Sequence, residues 1–211
     1  MKTGGTPWEI ESESMEIVES YMKEFSLPPL EKAIVKRVIH STADPSLAEN
    51  LIFNLRGMSP DPTSCFTSGL DIYTDVNMLK AGVSPKLLKN FHGKVHCLID
   101  APEVAEEAKQ QKITRAAAAM YRHAENLDGA LVAIGNAPTA LFALLDLVER
   151  KVVRPLLVVG IPVGFVGAAE SKEKLARFSD LPHVTLSGRR GGSPVAAAVV
   201  NALLGYQKEV S

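Results

Sequence analysis

The sequence predicts an α/β fold: a mainly parallel five-stranded sheet covered by helices on both faces, with an N-terminal helical segment, in a single domain over 1–211. Three observations predict it. From residue 70 onward, short apolar runs alternate with helix-period segments, the pattern of right-handed β-α-β crossovers. The runs are continuously apolar, Pro155-Leu156-Leu157-Val158-Val159-Gly160 most clearly, as strands covered on both faces require. The first third instead carries helical periodicity without strong strand signals.

The elements follow in order. Glu9 to Phe25 reads as a helix, with Ile10, Ile17, Val18, Tyr21 and Phe25 recurring near helical spacing. Pro28 and Pro29 suit a first helical turn, so Leu30 to Ser41 is the next helix, striped by Ile34, Val35, Val38 and Ile39 and ended by Asp44-Pro45. Helical stretches are expected over Ser46 to Asn54 and Pro62 to Gly69. The strands expected are Asp71 to Thr74, Val95 to Ile99, Ala130 to Ile134, Leu156 to Gly160 and Val184 to Leu186. Between and after them, helices are expected over Val76 to Ala81, Pro85 to Asn90, Pro102 to Gln110, Thr114 to Asn126, Ala137 to Arg150, Glu170 to Phe178 and Ser193 to Tyr206. The strand ends deliver Asp75, Asp100, Gly135-Asn136, a glycine-rich loop and Gly188-Arg189-Arg190-Gly191-Gly192-Ser193 to one edge of the sheet. That edge is where an open α/β sheet binds ligands.

Composition sets bounds on function. A chain of 211 residues suits one domain, and its core should bury roughly 70% of the unfolded surface. Net charge is −1, so no global field draws in nucleic acid or an anionic membrane, and an acidic ligand must be met by local arginines. Cys65 and Cys97 lack C-x-x-C spacing, which argues against a zinc site or disulfide framework and fits a reducing cytoplasm, with both read as small buried hydrophobes. No basic segment followed by an apolar one opens the chain, so no signal peptide is expected. Leu131 to Val148 is apolar but interrupted by Gly135, Asn136, Pro138 and Asp146, and reads as strand, turn and buried helix rather than a membrane span.

The strand-to-helix loop Ile161-Pro162-Val163-Gly164-Phe165-Val166-Gly167-Ala168 points to a small-molecule site. Glycines let a backbone approach a ligand closely. Gly160, Gly164 and Gly167 do not form G-x-G-x-x-G, and no Gly-Lys-Ser/Thr follows, which excludes the common nucleotide signatures. Gly135-Asn136-Ala137-Pro138-Thr139 opens a helix whose N–H groups suit an anion, or is simply a cap. Arg189 and Arg190, beside three glycines and a helix start, suit a carboxylate or phosphate clamp. Arg115 sits in a helix's first turn, against the local dipole preference, which points to an anionic partner. His40 ends an apolar helix with Ser41, Thr42 and Asp44 behind it; histidine is suited to moving protons, though this context fits an ordinary helix-terminal histidine as well. His92, His96, His123 and His183 read as structural or exposed. No H-x-H, H-E-x-x-H or G-x-S-x-G spacing occurs, so no dedicated metal site is expected.

Several segments together resemble the precorrin-8X methylmutases: Val38-Ile39-His40-Ser41-Thr42-Ala43-Asp44, Asp75-Val76-Asn77-Met78, Ile113-Thr114-Arg115-Ala116-Ala117, Ile134-Gly135-Asn136-Ala137-Pro138-Thr139-Ala140-Leu141-Phe142, Pro162-Val163-Gly164-Phe165-Val166-Gly167-Ala168-Ala169-Glu170-Ser171-Lys172 and Gly188-Arg189-Arg190-Gly191-Gly192-Ser193. They stand in family order and span most of the chain. The resemblance implies a cytoplasmic homodimer, acting on a polycarboxylate tetrapyrrole, that moves a methyl group between adjacent ring-C carbons by an acid-assisted sigmatropic shift. It makes His40 the catalytic acid and implies substrate binding by Ser14, Asp75, Arg115, Asn136, Thr139, Gly164, Gly167, Arg189 and Arg190. It implies no methyl donor or other cofactor, no metal ligand set, no nucleic acid and no membrane. A corrin-binding carrier without turnover, and by fold analogy a nucleotide enzyme, stay open at this stage.

Overall fold

The computed structural model describes residues 5–23, 25–56, 58, 66 and 69–206. It begins with α1 (Pro7–Met22), started by a capping box: the Glu9 amide donates to Thr6 Oγ1 while Thr6 donates back to the Glu9 carboxylate. Helix α2 (Pro29–Thr42) follows and buries Leu30, Ile34, Val35, Val38 and Ile39. It stops because Ala43 turns left-handed (φ 52°), its amide closing on Ile39 O, and because Asp44, preceding Pro45, is held extended.

The next segment departs from expectation. Ser46 to Asn54 is not helical throughout: a 3₁₀ turn, Pro45–Asn50, is capped by Asp44, and strand β1 (Leu51–Asn54) runs antiparallel to the last strand. Asn54 secures it by donating to the carbonyls of Phe178, Ser179 and Leu181. The helix expected over Pro62 to Gly69 lies largely outside the described residues, as does Cys65.

The five expected strands form within a residue or two: β2 (Asp71–Thr74), β3 (Lys94–Cys97), β4 (Leu131–Ile134), β5 (Leu157–Gly160) and β6 (His183–Leu186). With β1 the sheet has six strands, ordered β1-β6-β5-β4-β2-β3, all pairs parallel except β1–β6. Between and after them lie α3 (Asn77–Gly82), α4 (Pro85–Leu88), α5 (Pro102–Gln111), α6 (Arg115–Arg122), α7 (Ala124–Leu127), α8 (Pro138–Glu149), α9 (Ala168–Ala176) and α10 (Ser193–Gly205). The helix expected over Thr114 to Asn126 divides at His123 into α6 and α7.

Alternate residues of each strand serve opposite faces. Leu131, Ala133, Leu157 and Val159 join α1, α2 and α10 in one core; Val132, Ile134 and Val158 join α5, α6, α8 and α9 in the other. Covered on both sides, the central strands must be apolar at every position, and β4 and β5 are fully buried. Cys97 is a half-buried free thiol whose pKa burial pushes up. Among the described residues no helix is long and apolar enough to cross a membrane.

The strand order fixes where ligands are expected. The chain runs from β2 outward to β3, then returns to the other side of β2 with β4 and proceeds to β5 and β6. The direction reverses between β2 and β4, and the crevice at the carboxyl ends of those strands is the topological switch point.

Candidate active site

At the switch point stands Asp75, directly after β2 and 1% exposed. Its carboxylate accepts the amides of Gly135 (3.1 Å), Asn136 (2.8 Å) and Ala137 (2.7 Å). Burial pushes its pKa up, while these three bonds, Ala137's foremost, pull it back down. Both oxygens are thus occupied by the loop after β4. The expectation that Asp75 faces a ligand changes accordingly: it shapes the loop that presents Asn136 and Thr139, both exposed.

Thr139 Oγ1 lies 2.7 Å from Thr114 Oγ1, and Thr114 caps α6 by accepting the Ala117 amide. That cap sets Arg115 on the first turn of α6, exposed, with its guanidinium 3.9 Å from Asp100 after β3. Asp100 also accepts a hydrogen bond from the side-chain Nδ2 of Asn77 at the start of α3. An exposed pair at this distance holds its partners weakly, so Arg115 remains available to a stronger anion.

A second cluster sits at the end of α2. His40 Nδ1 lies 3.2 Å from Ser14 Oγ of α1. Four residues on, the Ser46 hydroxyl and amide, together with Arg190, hold the Asp44 carboxyl below the usual carboxylate range. Arg190 Nη1 donates to Asp44 Oδ2 (2.9 Å) and Ser46 Oγ (2.8 Å), tying the loop after β6 to the turn after α2. Arg189 is exposed and has no side-chain partner among the described residues.

The glycine loop after β5 joins the two clusters. Gly164 (φ 152°) donates its amide to Arg189 O, and Gly192 donates to Ile161 O. Gly167 (φ 77°) packs so that a side chain would touch Pro138 and Phe142 of α8. Gly135 has less room: a Cβ there would lie 2.8 Å from Ser193 Cα at the start of α10. The loop tip exposes Phe165 and Val166 almost fully. Ser14 therefore meets His40, Asp75 meets Asn136, and the loop of Gly164 is bonded to the loop of Arg189 and Arg190, whereas Arg115 and Thr139 form a separate patch along the same sheet edge. Sequence reasoning missed Asp44, Ser46, Thr114 and Asp100 as partners, and Lys172 as a buried group. Among the described residues no group of three or more His, Cys, Asp or Glu side chains is placed to hold a metal ion.

The precorrin-8X methylmutase (CbiC) profile matches residues 9–206. The chain belongs to that family. It is 40% identical over 205 residues to a cobalt-precorrin-8 methylmutase of Methanocaldococcus jannaschii, covering 94% of this chain and 93% of that one. Identity to the cobalt-precorrin-8 methylmutase of Salmonella typhimurium is 43% over 209 residues, covering 96% and 97%. The solved precorrin-8X methylmutase of Thermus thermophilus superposes with a TM-score of 0.81 at 36% identity, covering 92% of this chain and 95% of that one. As a methylmutase the protein is an isomerase, and both clusters and the glycine loop lie inside the matched residues.

Proposed function

We propose that this methylmutase converts precorrin-8, metal-free or cobalt-containing, to the corresponding hydrogenobyrinate or cobyrinate. The methyl leaves one ring-C carbon as it bonds to its neighbour, so composition is unchanged and no methyl donor is consumed. In this reading His40 is the acid: it protonates or hydrogen-bonds the ring-C nitrogen, makes the adjacent carbon electron-poor, and recovers the proton after migration. The observation that carries the reading is the Ser14–His40 contact. It engages Nδ1, while Nε2 has no partner among the described residues.

Ser14 thus orients His40. Arg115, Arg189 and Arg190, with Asn136, Thr139 and the backbone at Gly164 and Gly167, meet the rim carboxylates, while Asp75 supports them from behind. Such donors are needed because a chain of net charge −1 offers no general attraction to a polyanion. We place the reaction in the cytoplasm, in one catalytic domain, in a homodimer. Ile10, Ile17 and Tyr21 form a stripe on α1 with Ser14 at its margin; they are 60%, 52% and 48% exposed, an apolar face that a second copy would cover. Sedimentation at micromolar concentration should give twice the chain mass of 22.7 kDa.

The test is incubation of the purified protein with precorrin-8 and its cobalt form in parallel, followed by visible spectroscopy. Migration removes the tetrahedral break at ring C and extends conjugation. A red shift with unchanged pigment mass is expected, and the faster substrate identifies the natural one. No shift with either form would overturn the reading.

A further inference from the structure

We infer that Lys172 is a positioning residue: from α9 it fixes the Arg189–Arg190 loop and so holds the anion-binding edge of the site in place. The inference rests on the substrate reading above. Lys172 is 1% exposed, among the largest fully buried side chains of the protein. Its Nζ donates to Arg190 O at 2.5 Å, the one bond it makes among the described residues. An ammonium withdrawn from water onto a single carbonyl is costly. A surface role would leave it on the exposed side of its helix, beside Glu173.

The loop it holds is strapped to the same β5–α9 unit at three points. Arg189 O accepts the Gly164 amide (3.2 Å), Arg190 O accepts Lys172, and the Gly192 amide donates to Ile161 O (2.9 Å). Only the middle strap is a side chain, and only it carries charge. The Arg190 guanidinium extends the connection to Asp44 and Ser46, just beyond His40. Lys172 therefore links α9, through one backbone carbonyl and one arginine, to the end of α2. Burial lowers its pKa to about 8, so it is still charged at neutral pH.

The test is K172M, which keeps chain length and removes donor and charge. KM for the tetrapyrrole should rise roughly ten- to hundredfold, the scale of one charge-assisted hydrogen bond, with kcat within a few-fold of wild type. The melting temperature should not fall, because the substitution removes a buried charge. In an R190A background the same change should cost little further. In the substrate-free protein, hydrogen exchange should quicken in the peptide spanning 187–192. Unchanged KM together with unchanged exchange there would overturn the inference while wild-type turnover kept the functional reading intact. If wild type proves inactive on both pigments, the functional reading falls, and exchange alone decides: quickened supports the positioning role, unchanged ends it.

Discussion

Ser14 Oγ and His40 Nδ1 lie 3.2 Å apart, bridging α1 and α2 across 26 residues of sequence. A hydroxyl is the partner that suits both protonation states of an imidazole. It accepts from Nδ1–H when the ring is charged, and still does so once Nε2 has given up its proton; in the other neutral tautomer it donates to Nδ1 instead. A group that gives up a proton and recovers it thus keeps one orientation throughout. A carboxylate in the same place would instead bias the ring toward its charged form and make it a poorer proton donor.

H40A should lose about 10²- to 10⁴-fold in kcat, the usual share of positioned proton transfer, while retaining fold and pigment binding. S14A should lose less, about tenfold, since the imidazole remains but its orientation loosens. Single-turnover kinetics with pigment-binding titrations would check both. Full turnover by H40A would remove His40 from the chemistry.

Asp75 permits a test of the loop rather than the reaction. In D75N an amide nitrogen replaces one acceptor oxygen and confronts backbone donors that have no other partner among the described residues. Each buried donor left unpaired costs about 1–3 kcal/mol. D75N should therefore lower the urea midpoint measurably, and pigment affinity should weaken because Asn136 and Thr139 are presented less rigidly. An unchanged midpoint would mean the loop finds other partners.

The five parallel strands were legible because burial on both faces leaves continuous apolar runs, and prolines at 29, 85, 102, 138 and 194 marked helix starts. Strand β1 was not, because four residues carry little periodicity and its pairing is supplied by β6, more than a hundred positions later. The sequence showed His40, Arg190 and the glycine loops as separate features. It did not show that Ser14 meets His40, that Asp75 is consumed by backbone amides, or that Lys172 turns inward, because a lysine on a helix ordinarily marks a solvated face.

Two glycines of the arginine loop should behave differently. Gly191 (φ 149°) has no room: a Cβ would lie 2.5 Å from Ile161 O and 2.9 Å from Ile161 Cγ2. Gly188 (φ 76°) has nothing within 4 Å, so alanine there meets only the left-handed backbone penalty, about 1–2 kcal/mol. G191A must also displace the loop from β5. It should cost more stability than G188A and weaken pigment binding further, as denaturation and equilibrium titration would show. Equal losses would imply that the loop shifts freely and is not pinned against Ile161.

Burial lowers the folded-state pKa of Lys172 from 10.5 to about 8, with no charged partner driving the shift. Between those values the unfolded chain holds a proton that the folded chain has released. Stability depends on pH with the sign of protons bound unfolded minus folded, so this lysine makes the protein more stable as pH rises through the window. Below about pH 8 the cost of its buried charge is present in full; above 10.5 it is gone. The span corresponds to a gain on the order of 3 kcal/mol. Other groups titrate over the same range, so the measurement is a difference: urea unfolding of wild type and K172M at half-unit steps from pH 7 to 10.5. K172M should be the more stable at pH 7, and its advantage should shrink as pH rises. A constant difference would mean that Lys172 titrates at its ordinary value and that its charge is solvated after all.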